Sequence, residues 1–338
     1  MLSISIFRGA SLSKIRLAKE VQNQVTTIGA AVNKSEKFSR TYSSKPDSNR
    51  MRFVQYLRKN DTTPKLGAIS DDGATLTDLS SQSGIPSDMI TFIKENISVE
   101  DVAKKLTVLP SEKVNDNITL LPPVLNPEKI ICIGLNYSGH CLEQNKQPPK
   151  EPMFFSKFNT ALVGPTGNVI AHAITKKLDW EVELAVVIGK EAKKVAKENA
   201  LDYVFGYTVA QDISARDWQK ERNGGQFLIG KSMDTFCPLG PALVHKSLIK
   251  DPHNLSLTSL VNGVLKQSGN TNELIFRIDD IISRLSECIT LKPGDVILTG
   301  TPAGVGMHRS PPEFLKVGDL IESEIQDLGK LSNKVVAP

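Results

Sequence analysis

From Lys129 onward the apolar residues come in short runs cut by glycine and proline. This punctuation constrains the fold more than any other feature. Ile130–Gly134, Leu184–Gly189, Val204–Val209, Val296–Gly300 and Leu320–Ile325 are the clearest runs. Segments this brief, bounded by turn formers, fit buried strands better than packed helices. Glu191–Leu201 and Arg277–Cys288 are the best candidates for helices in this part of the chain. In the second, Ile278, Ile281, Ile282 and Leu285 fall at helical spacing and form one core-facing stripe. The expected class is α+β and rich in strand.

A smaller unit precedes this region. Residues 51–57 alternate and predict a strand, and Leu66–Ile69 and Ala74–Leu79 flank the turn Asp71-Asp72-Gly73 as a hairpin. Met89, Ile90, Ile93, Val102 and Leu106 suggest helical pieces between 86 and 106. Leu121-Pro122-Pro123-Val124 and Asn126-Pro127 make a rigid connector. We therefore expect a small N-terminal α/β unit over 51–124 and a catalytic domain over 125–338.

Charge is unevenly placed. Residues 1–45 carry Arg8, Lys14, Arg16, Lys19, Lys34, Lys37, Arg40 and Lys45 against Glu20 and Glu36. The segment is +6 and the remainder −2, within a total of +4. A basic, Ser-rich leader poor in acids fits a mitochondrial transit peptide over 1–50, the alternative being a disordered basic terminus. Arg40-Thr41-Tyr42-Ser43-Ser44 resembles a processing site. The near-neutral body argues against nucleic-acid binding. No apolar run approaches the roughly 18 residues that span a membrane. Cys132, Cys141, Cys237 and Cys288 show no metal or disulfide spacing, and fit free thiols in a reducing compartment such as the mitochondrial matrix.

Gly225-Gln-Phe-Leu-Ile-Gly230-Lys231-Ser232 matches a phosphate-loop pattern literally. The context is wrong: charged residues precede it, and its interior is bulky and strand-like. Lys231, flanked by apolar residues, still demands an anionic partner.

Asp179-Trp-Glu181-Val-Glu183-Leu-Ala-Val-Val-Ile-Gly189 reads as a strand. Alternation puts Glu181 and Glu183 on one face, about 7 Å apart. Like charges in an apolar strand are costly without a cation between them, and an all-oxygen site selects Mg²⁺, Mn²⁺ or Ca²⁺. Asp212, which follows the strand-like run 204–210, is a third candidate ligand. The other reading is a solvent-facing edge whose acids pair with Lys176 and Lys177.

Taken together, these pieces resemble the fumarylacetoacetate hydrolase (FAH) family, over about 127–336. The ordered motifs are Ile133-Gly-Leu-Asn-Tyr137 with His140 and Glu143, Pro152-Met-Phe-Phe-Ser-Lys157, Asp179–Leu184, Gln211–Asp217, Gly230-Lys231 and Pro293–Pro302. The 179–190 run, Gly230–Gly240 and Asn270-Thr-Asn272 are most similar to the mitochondrial domain-containing protein 2 branch. The resemblance implies an FAH-type mixed β-sandwich roll, a homodimer, and a metal held by Glu181, Glu183 and Asp212. It implies catalytic roles for Lys231 and for a water-positioning pair, His140 and Glu143, and substrate contacts from Arg216, Gln219 and Thr301. Without it, His140 reads as a loop histidine, Glu143 as a solvated helix residue, and Arg216 as a partner of Asp217 or Glu221.

The implied chemistry is control of an enolate from a small 2-oxo acid. Protonation at C3 is keto–enol tautomerisation of oxaloacetate, the activity the branch implies. Water attack would make an acylpyruvate or diketo-acid hydrolase, and loss of CO₂ an oxaloacetate decarboxylase. A non-catalytic, metal-stabilised structural protein is the reading from another class. Cys141–Lys150, polar and ending Gln-Pro-Pro-Lys, is a candidate lid.

Overall fold

The alternating segment at the start of the described chain becomes β1 (Arg52–Arg58), followed by the hairpin β2 (Lys65–Ile69) and β3 (Thr75–Asp78). This structure, a computed structural model, describes residues 51–338, and the transit-peptide expectation falls on residues outside that range. Gly73 closes the hairpin turn with φ 70°, a left-handed conformation that favours glycine. Two helices follow, α1 (Met89–Lys94) and α2 (Val99–Leu106), capped by Asp88 and Ser98. In each, the capping oxygen accepts a free first-turn N–H.

The punctuated runs supply the remaining strands. They are β4 (Ile130–Gly134), β5 (Met153–Lys157), β6 (Val182–Ile188), β7 (Val204–Gln211) and β8 (Cys237–His245). After them come β9 (Ser256–Val261), β10 (Val264–Asn270), β11 (Val296–Leu298), β12 (Leu320–Ile325) and β13 (Gly329–Val336). The main sheet runs β3-β2-β1-β8-β7-β6-β11-β4-β5, and a second sheet contains β10-β9-β12-β13. The two sheets touch through β6, β7 and β8 on one side and β9, β12 and β13 on the other, which makes a sandwich. Among these strands pairing is antiparallel except for β11 beside β4, and residues 162–163 add a short parallel pairing to β8, so the main sheet is mixed.

Strand β6 lies at the centre and is buried along its whole length. Val182, Leu184, Val186 and Ile188 pack with Ile278, Ile281, Ile282 and Leu285 of α6 (Ile278–Cys288), as the stripe predicted. Helices α3 (Ser138–Glu143), α4 (Arg216–Lys220) and α5 (Phe227–Ser232) are short and border the site. No helix among the described residues is long and apolar enough to cross a membrane.

Two local expectations are corrected. Glu191–Leu201 is not an α-helix. Ala192 exchanges backbone hydrogen bonds with Leu291, and Lys194 N–H donates to Ser286, so these groups serve neighbouring segments; only a 3₁₀ turn, Lys197–Tyr203, forms. The Phe-Leu-Ile interior of the phosphate-loop pattern is helical rather than strand-like. It is preceded by helix α4 and a turn instead of a strand, which removes the phosphate-loop context.

β1 pairs with β8, so strands before the proline-rich connector extend the same sheet as those after it. Phe53, Phe92 and Phe205 seal this junction, with ring centroids 5.2, 5.9 and 6.3 Å apart. Aromatic pairs at such separations contribute beyond their buried area. We expect Phe92→Ala to cost about 3–5 kcal/mol. We also expect residues 51–124 and 125–338 to unfold in one transition. Denaturant unfolding followed by fluorescence and circular dichroism checks both; two separated transitions would contradict the second.

Candidate active site

The register of the central strands assembles the acids. Val182 pairs with Gln211, and the next step is closed by Asp212 N–H donating to the Glu181 carbonyl at 2.9 Å. Directly opposed residues share a face, so Glu181, Glu183 and Asp212 project together. One carboxylate oxygen from each lies within 4.8 Å of the others. Glu181 is 5% exposed, Glu183 1% and Asp212 0%, so the solvent-edge reading is wrong. Lys177 instead pairs with Glu221.

Three cations from other segments meet these acids. Lys231, at the end of α5, donates to Glu181 Oε2 and Asp212 Oδ2, both at 2.6 Å. Its helix approaches α4 closely because residue 230 is glycine; a Cβ there would sit 2.7 Å from Gln219 N. Arg216 reaches Asp179 Oδ2 at 2.8 Å, Glu181 Oε1 at 2.6 Å and Gln219 Oε1 at 3.0 Å. Its partners are therefore Asp179 and Glu181, not Asp217 or Glu221. Lys157, fully buried, pairs with Asp212 Oδ1 at 2.8 Å and donates to the carbonyls of Ile213, Phe236 and Lys231. Sequence reasoning gave Lys157 no role, although it ends a quoted motif. A lone lysine closing the strand that holds Met153, Phe154 and Phe155 is the available signal.

Glu183 is left without a cation. Its Oε2 accepts the Gly300 N–H at 2.7 Å, and among the described residues no Lys, Arg or His forms an ion pair with it. Burial, with Asp212 and Glu181 beside it, drives its carboxyl well above the usual range. Burial also opposes charge on Glu181, but Arg216 and Lys231 outweigh it and hold that carboxyl low. Burial likewise disfavours the Lys231 ammonium, and Asp212 and Glu181 more than restore it. The donor set thus has an uncompensated, all-oxygen corner that fits a hard divalent cation.

A cavity of about 90 Å³ opens over this cluster, lined also by His140, Gln144, Lys146, Lys220, Thr301 and His308. His140 Nδ1 is hydrogen-bonded to Glu143, whose other oxygen accepts Gly304 N–H at 2.8 Å. The Thr301 hydroxyl donates to the Val182 carbonyl at 2.9 Å and accepts from Gln267 at 2.7 Å, so it also braces the strand. Asp179, the buried partner of Arg216, also accepts N–H groups from Trp180, Gly306 and Met307, at 2.8, 2.7 and 2.9 Å. It thereby ties Arg216 to the loop bearing His308. Neither Asp179 nor His308 was singled out as a site residue from sequence. Desolvation at the rim, then Lys146 and Arg216, push the Lys220 ammonium down to about 8. Burial chiefly lowers His308.

Residues 129–336 match the domain described as fumarylacetoacetate (FAA) hydrolase C-terminal. The chain belongs to the fumarylacetoacetate hydrolase family. It is 49% identical over 290 residues to a mitochondrial oxaloacetate tautomerase of Xenopus laevis, covering 85% of this chain and 90% of that one. A human mitochondrial oxaloacetate tautomerase is 48% identical, with coverages of 86% and 93%. Among solved structures, a fumarylacetoacetate hydrolase from Exiguobacterium antarcticum superposes with a TM-score of 0.74 at 36% identity, covering 85% of this chain and all of that one. The family fold agrees with the β-rich α+β architecture described above.

Lys157 supplies the prediction for this cluster. Removing one partner of a buried ion pair costs about 3–5 kcal/mol. Lys157→Met should lose stability in that range, measured by chemical denaturation. A loss under about 1 kcal/mol would mean that the pairing carries little weight.

Proposed function

We propose that this chain is a divalent-metal-dependent oxaloacetate keto–enol tautomerase. The observation that carries the reading is the buried carboxylate trio with Lys231 against it and Glu183 lacking a cation. The names of its relatives at 48–49% identity give the substrate.

Glu181, Glu183 and Asp212 would hold the ion, Mg²⁺ in the first instance and Mn²⁺ or Ca²⁺ by the same donor chemistry. When bound, it supplies positive charge that lowers the cost of an enolate. The residues do the rest. Lys231 offers a second positive charge near the substrate's 2-oxo oxygen and carries the proton that the enol oxygen loses and C3 gains. Arg216 and Gln219 orient the substrate, with Thr301 also lining the cavity. Lys146 and Lys220 add positive charge at the rim, which favours entry of a dianion. The same reading assigns 1–50 to a transit peptide, the mature protein to the mitochondrial matrix, and its assembly to a homodimer.

A second reading, hydrolysis of an acylpyruvate, is favoured by one observation, that His140, hydrogen-bonded to Glu143, faces the cavity. Ultraviolet absorbance of enol-oxaloacetate separates the two. Magnesium-dependent loss of the enol signal without pyruvate is the expected result. Pyruvate from oxaloacetate would mean decarboxylation, and pyruvate from an acylpyruvate would mean hydrolysis.

Glu183→Gln should weaken Mg²⁺ binding by at least about 10-fold, read by calorimetry. Lys231→Met should slow tautomerisation by about 100-fold or more. If Glu183→Gln leaves metal binding and turnover untouched, the ligand assignment is wrong. A mature protein isolated from mitochondria that still begins at Met1 would rule out the transit peptide.

A further inference from the structure

The His140 imidazole has two nitrogens, and both are taken. Nδ1 is hydrogen-bonded to a Glu143 carboxylate oxygen, and Nε2 lies 2.8 Å from the amide nitrogen of Gln144. An amide nitrogen only donates, so Nε2 is the acceptor and the ring proton sits on Nδ1, directed at Glu143. Gln144 caps the C-terminus of α3, half-buried, one residue beyond Glu143. It lines the same cavity as His140 and Lys231.

A hydrolase needs that Nε2 lone pair. As water adds to the acyl carbonyl of an acylpyruvate, a base takes one water proton. The C–C bond then breaks, its electron pair passes into the pyruvate enolate, and the proton is delivered to that carbon. The products are a carboxylic acid and pyruvate. Tautomerisation needs no water as reactant.

Building on the tautomerase reading above, we propose that Gln144 is a specificity-determining positioning residue: by capping Nε2 of His140 it keeps the His140–Glu143 pair from activating water. Attack of water on a carbonyl of the bound substrate is then closed, and proton transfer at C3 is the route left open.

The test uses the full mature chain with Mg²⁺, acetopyruvate and enol-oxaloacetate. Gln144→Leu and Gln144→Met, two apolar replacements of different shape, free Nε2, and thermal melting confirms that each is folded. Pyruvate release from acetopyruvate should rise by about 100-fold, the lower end of what a positioned general base contributes. Adding His140→Ala should abolish the rise. Loss of structure cannot produce this gain. Folded variants that release no more pyruvate than the wild type overturn the proposal, and so does a rise that survives His140→Ala. A wild type that fails to tautomerise enol-oxaloacetate sinks the functional reading instead, and the pyruvate measurement then decides the role of Gln144 alone.

Discussion

Four carboxylates, Asp179, Glu181, Glu183 and Asp212, are buried beside the start of β6 and the end of β7, and the surrounding structure is arranged around that cost. An unpaired ion in a protein interior costs several kcal/mol. Strand β6 cannot turn Glu183 outward, because its register with β7 and β11 is set along its length and apolar residues fill its opposite face, and Asp212 N–H holds the Glu181 backbone in the same register. Compensation therefore comes from other segments: Lys157 from β5, Arg216 from α4 and Lys231 from α5. Each cation ties its own element to the acids beside β6 and β7, so the fold closes where the chemistry sits.

Backbone amides complete the compensation. The loop after β11 gives Gly300 N–H to Glu183, Gly304 N–H to Glu143, and Gly306 and Met307 N–H groups to Asp179. Gly300 and Gly304 hold φ near 103° and 104°, which aims these amides at the acids and which a side chain would strain. At Gly304 a Cβ would also lie 2.2 Å from the Lys266 carbonyl. Glycines that read in sequence as turn formers thus act as donors as well.

The parts of this site legible in the sequence are those carried by local periodicity. Glu181 and Glu183 declare a shared face through alternation, and the stripe on α6 declares its burial. Long-range partners leave no such trace. Nothing adjacent to Lys157 shows that it meets Asp212, 55 positions away. Nothing near Asp179 shows that its oxygens serve Arg216 and a loop beyond residue 300. The failed helix at 191–201 has the same origin. Its local composition favours helix, but its backbone groups find partners across the sheet edge in Leu291 and Ser286. Family resemblance supplied Arg216, Gln219 and Thr301, which spacing alone could not.

The distribution of charge explains why such a pocket suits a small dianion. Inside, Lys157, Lys231 and Arg216 are matched to acids at contact distance, so they contribute little net field. At the rim, Lys146 and Lys220 have no acidic partner among the described residues, and Lys220 is lowered first by burial and then by the like charges of Lys146 and Arg216. An anion entering past them relieves that repulsion before it meets the buried cluster. The entrance therefore carries positive charge without an acidic partner, while the interior stays close to balance with Glu183 as its uncompensated corner. A ligand bringing one negative end to the rim and a polarisable oxo group to the interior answers both conditions, which is the shape of a 2-oxo dicarboxylate.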